Sequence, residues 1–512
     1  MNKAFSTLFT PTSIYSIVFF RIAFGAISLW KVIDYIAQGR VARYWLEPAY
    51  NFTYSFFPWV TSLPGEGMTY LFYGLGILSV FVMLGFLYRP SILLLGLGDS
   101  YTFLLEETRY LNHDYLVILL CFTLFFIPAS KHFSLDALLF KRKTDDTLPN
   151  WCLYVLRFNI GLPYFFGGIA KLNADWLLGE PMGLWLSRRT NFPLIGNYFT
   201  QDWFVYFATY GGLFLDLLAV PFLLWSRTRT FMFAALVLFH FTNARWFSIG
   251  IFPWLMIAAT TLFFPPDWPK RLLYRLKNEP VRIGLAALIG GVAFATAGLW
   301  FYEKFALPVM LVSFIAGALF MVSLLKPFTY RPHPDVVEAP SRGRRILVTG
   351  VLIAWVLVHT LLPLRHWLIP GNPSWTEEGH RFAWHMLLRS KQGTLSYLVT
   401  DPASGQRLEL DPADILPRWQ VNKVSSSPHL IHEFAHYIAQ KFAEDGFENV
   451  EVRAISQSSL NGREPQFLVS PTVNLAAEPL NSWNAEWIEP LDEPLRKGTL
   501  ETSAEPLKEE GD

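Results

Sequence analysis

Apolar blocks close to the length of a bilayer crossing run through most of this chain, separated by short loops that hold many of its basic residues. A helix of about 20 apolar residues spans the hydrocarbon core, and in lipid every backbone polar group must be paired within the protein. The blocks fall at 13–37, 69–88, 90–106, 114–129, 152–171, 204–225, 230–244, 248–264, 283–301, 305–325 and 346–364. Some are short and the third carries Asp99, Glu106 and Glu107, so about 9–11 transmembrane helices are expected. Charged residues make up only 16% of the chain, against about 25% in soluble proteins. A net charge of +1 gives no reason to expect a nucleic-acid partner. The opening MNKAFSTLFTPTS has no signal-peptide pattern, so the first apolar block is expected to stay in place.

The basic loops set the orientation. Lys141–Lys143, Arg227–Arg229, Lys270–Arg282 and Arg331–Arg345 all fall on one side of the spans, the cytoplasmic one. The N-terminus is then cytoplasmic. The 39–68 loop, the 107–113 turn, the stretch after Lys171 and everything beyond 365 lie outside. This is the layout of a multi-pass integral membrane protein, with a bacterial inner membrane the expected location.

Near residue 366 the composition changes. After a Pro/Gly/Trp-rich lead-in, TLSYLVTDPASGQRLELDP alternates apolar and polar residues around a turn and reads as a β-hairpin. Residues 429–445 place Ile431, Phe434, Ile438 and Phe442 on one face of a helix. FENVEVRAIS and EPQFLVS read as strands. The expected architecture is a polytopic α-helical membrane domain (1–365, with an extra hairpin at 283–325), then an extracytoplasmic α+β domain (366–494). An acidic, disordered tail (495–512) follows. The only cysteines, Cys121 and Cys152, lie in or beside apolar blocks, so the outer domain needs no disulfide.

Polar residues inside membrane spans are functional candidates by default. In GLPYFFGGIAKLNADWLLGEPM the apolar run ends at a single lysine, Lys171. It is either an anchor reaching toward water or a desolvated amine able to act as a base. Asn112 and His113 open the fourth block at its outer end, while His240 and Asn243 end the seventh on the same side. Asp216 sits inside the sixth block. A lysine, two histidines and two asparagines on one side of the membrane suit an anionic intermediate, and the many aromatic rings suit a flat lipidic one.

FFGGIAKLNADWLLGEPM, with NHDYL upstream and FHFTNARWFSIGIFPW downstream, resembles the vitamin K-dependent γ-glutamyl carboxylase family, with its HTTM-type membrane domain. The likeness continues through NPSWTEEGHRFAWHMLLRS, TDPASGQRLELDP, SLNGREPQFLVSP and EWIEPL, covering roughly 12–275 and 345–492. The resemblance implies a carboxylase that oxygenates reduced vitamin K (phylloquinol or menaquinol) with O₂ to the epoxide. The strong base so formed would let CO₂ add to a peptide glutamate, giving γ-carboxyglutamate. It assigns Lys171 as catalytic base, places Asn112 and His113 near the quinone, and makes Trp384 and Met386 a cover for quinone or glutamate. Arg463 matches a family position of open role. The implied partners are a glutamate-containing peptide or protein and the membrane quinone, and no metal is expected.

Three departures from the animal enzymes stand out: the 283–325 hairpin, Ala170 in place of a second lysine, and SPTVNL where DPxVDL is family-like. They leave open an epoxidase that carboxylates no peptide. His432-Glu433-Phe434-Ala435-His436 is formally H-E-x-x-H, a zinc-peptidase pattern with Glu433 as base. The apolar face of that helix is explained by packing, so its histidines are expected on the solvated side. A non-catalytic membrane scaffold is the remaining alternative.

Overall fold

The computed structural model describes residues 6–495 apart from 141–145, 194, 248, 279, 282–283, 287, 293–339 and 481–484. Its membrane part is built from α1 (Tyr15–Ala37), α2 (Gly67–Leu84), α3 (Tyr88–Leu104), α4 (Asn112–Phe126), α5 (Trp151–Ala170), α6 (Asp202–Leu224), α7 (Arg229–Phe247), α8 (Phe252–Thr260), α9 (Trp268–Asn278) and α10 (Arg342–Leu364). Each apolar block from 13 to 264 contains a helix, and the block at 346–364 lies in α10. Five described helices are long and apolar enough to cross a membrane: α1, α2, α5, α6 and the Arg342–Leu368 stretch that contains α10. The proposed spans at 305–325 and most of 283–301 lie outside the described residues, as does the tail beyond 495. α3 ends at Leu104, so Glu106 and Glu107 fall beyond the helix rather than inside a span.

Two short strands, β1 (Pro11–Ser13) and β2 (Thr147–Pro149), pair antiparallel and bring the starts of α1 and α5 together. Arg21 of α1 is fully buried, and its guanidinium bonds the carbonyls of Ala129, Met83 and Phe133. Those carbonyls lie at or beyond the ends of α2 and α4, where helix geometry leaves C=O groups without partners.

The outer domain carries an antiparallel sheet in the order β4-β3-β5-β6, from β3 (Lys391–Thr400), β4 (Arg407–Leu410), β5 (Glu451–Leu460) and β6 (Gln466–Phe467). The hairpin is the expected one, with Tyr397 opposite Leu410 and Thr400 opposite Arg407. Asp401 closes its turn by accepting from the amides of Ala403 and Ser404, and Gly405 takes the left-handed φ of +70° that the turn requires. α11 (Pro428–Glu444) lays Ile431, Phe434 and Ile438 against Tyr397, Val452 and Ala454. Alternate residues of β5 are buried, as a strand with one face on a core demands.

Each domain inserts an aromatic residue into the core of the other. Phe52, from the outer loop between α1 and α2, is 0% exposed among the outer-domain residues, 6.0 Å from the Phe434 ring. Trp384, from the outer domain, is 1% exposed in the membrane-domain core, 5.1 Å from Tyr115. Polar bonds run beside them: Gln420 donates to Glu106 at 2.9 Å and Tyr50 to Glu433 at 2.9 Å. Two buried ion pairs also cross: Arg381 to Glu107, and a two-pronged one, Arg463 to Asp175 at 2.6 and 2.7 Å, with Asn461 also donating to Asp175 at 2.7 Å.

Removing one partner of a buried pair strands the other charge, at about 3–5 kcal/mol. Lysine cannot reproduce the two-pronged geometry. Arg463→Ala is expected to expose the 366–390 segment to limited proteolysis, Arg463→Lys to do so partially, and neither to alter membrane-helix content by circular dichroism. Wild-type protease resistance in Arg463→Ala would show that the pair does not hold the domains together.

Candidate active site at the outer ends of α5 and α4

α5 ends in Gly167-Gly168-Ile169-Ala170, and Lys171 caps it. A Cβ on Gly168 would lie 2.7 Å from the Leu217 side chain and 3.0 Å from its backbone nitrogen. Only glycine allows α5 to approach α6 this closely. The approach lets Lys171 Nζ reach Asp216 of α6 at 2.7 Å, with Gly167 carbonyl at 3.3 Å. Lys171 is 5% exposed. Its side chain turns back along α5 toward the preceding turn, opposite to the course of a boundary anchor seeking water. Its ammonium also sits 5.2 Å over the Trp176 ring.

The chain then tightens into a short turn. Asn173 accepts from the Trp176 amide at 3.0 Å and donates to the Ala170 carbonyl at 2.8 Å, a side-chain cap. This turn presents Asp175 to Arg463. The K-L-N-A-D-W stretch therefore carries two buried ion pairs four residues apart, one into the membrane domain and one into the outer domain.

The roof comes from residues 377–388. Phe382, Trp384 and Leu387 hold φ of 60°, 60° and 50°, and Glu377 62°. Non-glycine residues in this region cost about 1–3 kcal/mol each and persist where the surroundings fix them. Here they are fixed at both ends. Glu377 accepts from Arg389 at 3.1 Å, Lys391 at 3.5 Å and the Ser427 hydroxyl at 2.9 Å. Burial opposes its charge, but Arg389, Lys391, His429 and Arg381 outweigh burial and hold its pKa down at about 2. At the other end, Tyr110 hydroxyl accepts from the Phe382 amide at 2.6 Å and donates to Asn112 at 2.9 Å. Asn112 in turn donates to the His385 carbonyl at 3.1 Å. A Cβ on Gly167 would stand 3.5 Å from the Met386 methyl, 3.7 Å from Asp216 and 3.8 Å from the Trp384 carbonyl. Lys171, Asp216, Trp384 and Met386 thus meet at one glycine. Burial, reinforced by His366, Arg389, Arg365 and Lys171, lowers the His385 pKa to about 3, so this imidazole is neutral near pH 7.

His113 and His240 flank Phe252, with ring centroids 6.0 and 6.1 Å from it. His240 Nε2 lies 2.6 Å from the Tyr164 hydroxyl, while its Nδ1 is buried without a hydrogen-bond partner among the described residues. The side chains of His113 and Asn243 make no hydrogen bond among the described residues, which leaves them, together with His240 Nδ1, available for a ligand at the outer ends of α4 and α7.

The chain matches the HTTM domain over residues 9–268 and the lumenal domain of vitamin K-dependent gamma-carboxylase over residues 344–494. It belongs to the vitamin K-dependent γ-carboxylase family. No solved structure matches it.

Sequence reasoning on this carboxylase-family chain named Lys171, Asn112, Trp384, Met386 and Arg463, and these gather around Gly167 and Asp175. His113, His240 and Asn243 lie alongside, around Phe252 and the end of α7. It missed Asp216 as the partner of Lys171, Asp175 as the partner of Arg463, and Tyr110. The only local signals were two acids in otherwise apolar or capped segments and the Gly167-Gly168 pair. Two departures from the animal enzymes acquire local explanations. Ala170 packs against the apolar cluster around Trp176 and Leu186. Asn474 of SPTVNL accepts from the amides of Val452 and Ala476, a task its carbonyl oxygen performs as a carboxylate would.

The H-E-x-x-H stretch does not assemble a peptidase. His432 and His436 converge on the Glu478 carbonyl at 3.1 and 2.8 Å, whereas Glu433 turns to Tyr50 at the domain interface. The base is thus not beside the imidazole pair. The expectation of a solvated histidine stripe also fails, since His432 is buried against Trp487, 4.8 Å away. Burial lowers the His432 pKa to about 4.

Asp216→Asn leaves Lys171 without its counter-charge in a buried setting, which is expected to cost about 3–5 kcal/mol. The paired replacement Lys171→Met with Asp216→Leu is expected to restore much of that loss in thermal unfolding. A double variant less stable than both single ones would contradict the buried pair.

Proposed function

We propose that this protein is a vitamin K-dependent γ-glutamyl carboxylase. It oxygenates reduced vitamin K to the epoxide with O₂ and couples that step to addition of CO₂ to a glutamate γ-carbon. The observation that carries this reading is Lys171, buried with Asp216 at 2.7 Å beneath the Trp384–Met386 roof.

A γ-carbon proton is too weakly acidic for an amine to remove, whereas a hydroquinone hydroxyl is within its reach. The ion pair Lys171–Asp216 and its neutral amine–acid form carry the same net charge. In this account Asp216, 2.7 Å away, receives the Lys171 proton, and the free amine faces the quinol oxygen. Quinol oxygenation then supplies the stronger base that takes the γ-proton. Asn112, fixed between Tyr110 and His385, and His113 offer hydrogen bonds to developing negative charge, and such bonds are worth more where water is excluded. Trp384 and Met386 cover the ring and keep water out. Lys171 is the catalytic base in this account, and His240 and Asn243 bind quinone.

The membrane domain supplies the lipid-soluble quinone and the outer domain faces the peptide. The basic loops orient that domain away from the cytoplasm. The second reading, an epoxidase without peptide carboxylation, rests on SPTVNL standing where DPxVDL is family-like. It loses weight where Asn474 does the work of an acidic residue.

The purified protein, given vitamin K hydroquinone, O₂, labelled bicarbonate and a glutamate-containing peptide, is expected to form quinone epoxide and labelled peptide in comparable amounts. Epoxide without peptide label would assign it as an epoxidase, and absence of both products would overturn the proposal.

A further inference from the structure

A second group of buried charges lies behind the first turn of α4. Lys31 of α1 stands 3.1 Å from Asp99 of α3 and 2.8 Å from Asp114 of α4, all with little exposure. Arg109 stacks on the Tyr44 ring at 3.5 Å and donates to Tyr35 at 3.3 Å. Lys31, Asp99, Asp114, Arg109, Tyr35 and Glu106 line a small cavity with room for about one water molecule. Burying three charges costs more than filling the space with apolar side chains, and the best-attested use of such groups is to fix register.

The first turn of α4 reads Asn112-His113-Asp114. Asn112 is tied outward, to the His385 carbonyl of the roof. Asp114 is tied inward, to Lys31. His113 sits between the two and turns toward Phe252, and the charges of Asp114, Lys31 and Arg109 all reach it. A carboxylate in the first turn also complements the positive end of the helix.

We infer that Asp114, held by Lys31, is a positioning residue that sets the rotation of the α4 first turn and so aims His113 at the reacting quinone. The inference rests on the functional reading above. Asp99 serves as its internal control: it shares Lys31 with Asp114 but lies on α3, which carries neither Asn112 nor His113. Misplacing a catalytic group by about 1 Å lowers rate on the order of 10²-fold.

The test is a double-mutant cycle on epoxide formation by the full-length protein in detergent or lipid. Asp114→Asn is expected to lower kcat between about tenfold and a hundredfold, with the KM for quinol little changed. Asp99→Asn is expected to stay within about threefold of wild type. In a His113→Ala background, Asp114→Asn is expected to cause a further loss of about threefold or less, because its effect runs mainly through His113 while the His385 carbonyl still holds Asn112. Equal losses in Asp99→Asn and Asp114→Asn, no loss in Asp114→Asn, or an undiminished loss in the His113→Ala background would each overturn the inference. If Asp114→Asn does not fold, Asp114→Glu moves the carboxylate by one methylene and carries the same comparison. A wild-type protein that makes no epoxide would instead contradict the functional reading. Asp114 is then judged by whether Asp114→Asn alone shifts the His113 imidazole signals in NMR.

Discussion

The pair between Asp175 and Arg463 is the interaction on which the site depends. Asp175 lies in the turn that begins at Lys171, and Arg463 follows the last long strand of the outer domain. Two charge-assisted bonds in fixed geometry leave little freedom to slide, so the outer domain is held in one register over the end of α5. With that register set, Trp384 enters the membrane-domain core and Met386 lies over Gly167. Asn112 reaches the His385 carbonyl. None of these contacts is made within one domain.

The exchange of Phe52 and Trp384 explains how two domains of different solvent preference stay joined. Each aromatic residue is buried only because the other domain is present, so separating the domains exposes both. The left-handed residues of the roof fit the same logic. A segment with several strained positions would relax if released, yet here Glu377 anchors one end and Tyr110 the other. Backbone strain of this kind gathers where a loop must present particular side chains to a site.

Much of this was legible in the sequence. The apolar blocks gave the helices from 13 to 264, and alternation with turn residues gave the β3–β4 hairpin and α11. Family-like motifs pointed to Lys171, Asn112, Trp384 and Met386. What remained hidden was pairing at a distance. Lys171 and Asp216 are 45 residues apart, and Asp175 and Arg463 are 288; no periodicity links such residues. The H-E-x-x-H motif misled in the opposite way: its spacing puts two histidines on one face, but tertiary packing turns Glu433 toward Tyr50 and buries His432. Acids in apolar segments were the informative residues, because each needs a partner that only the fold reveals.

The central claim is that Lys171 starts the chemistry by taking a proton from the reduced quinone. The direct measurement is the rate of quinone epoxide formation by purified Lys171→Ala protein under O₂, with wild-type protein alongside. General-base catalysis contributes about 10²–10⁴-fold. The account predicts loss of epoxide on that scale, in a variant that still carries the folded outer domain. Epoxide formation by Lys171→Ala at the wild-type rate would contradict it.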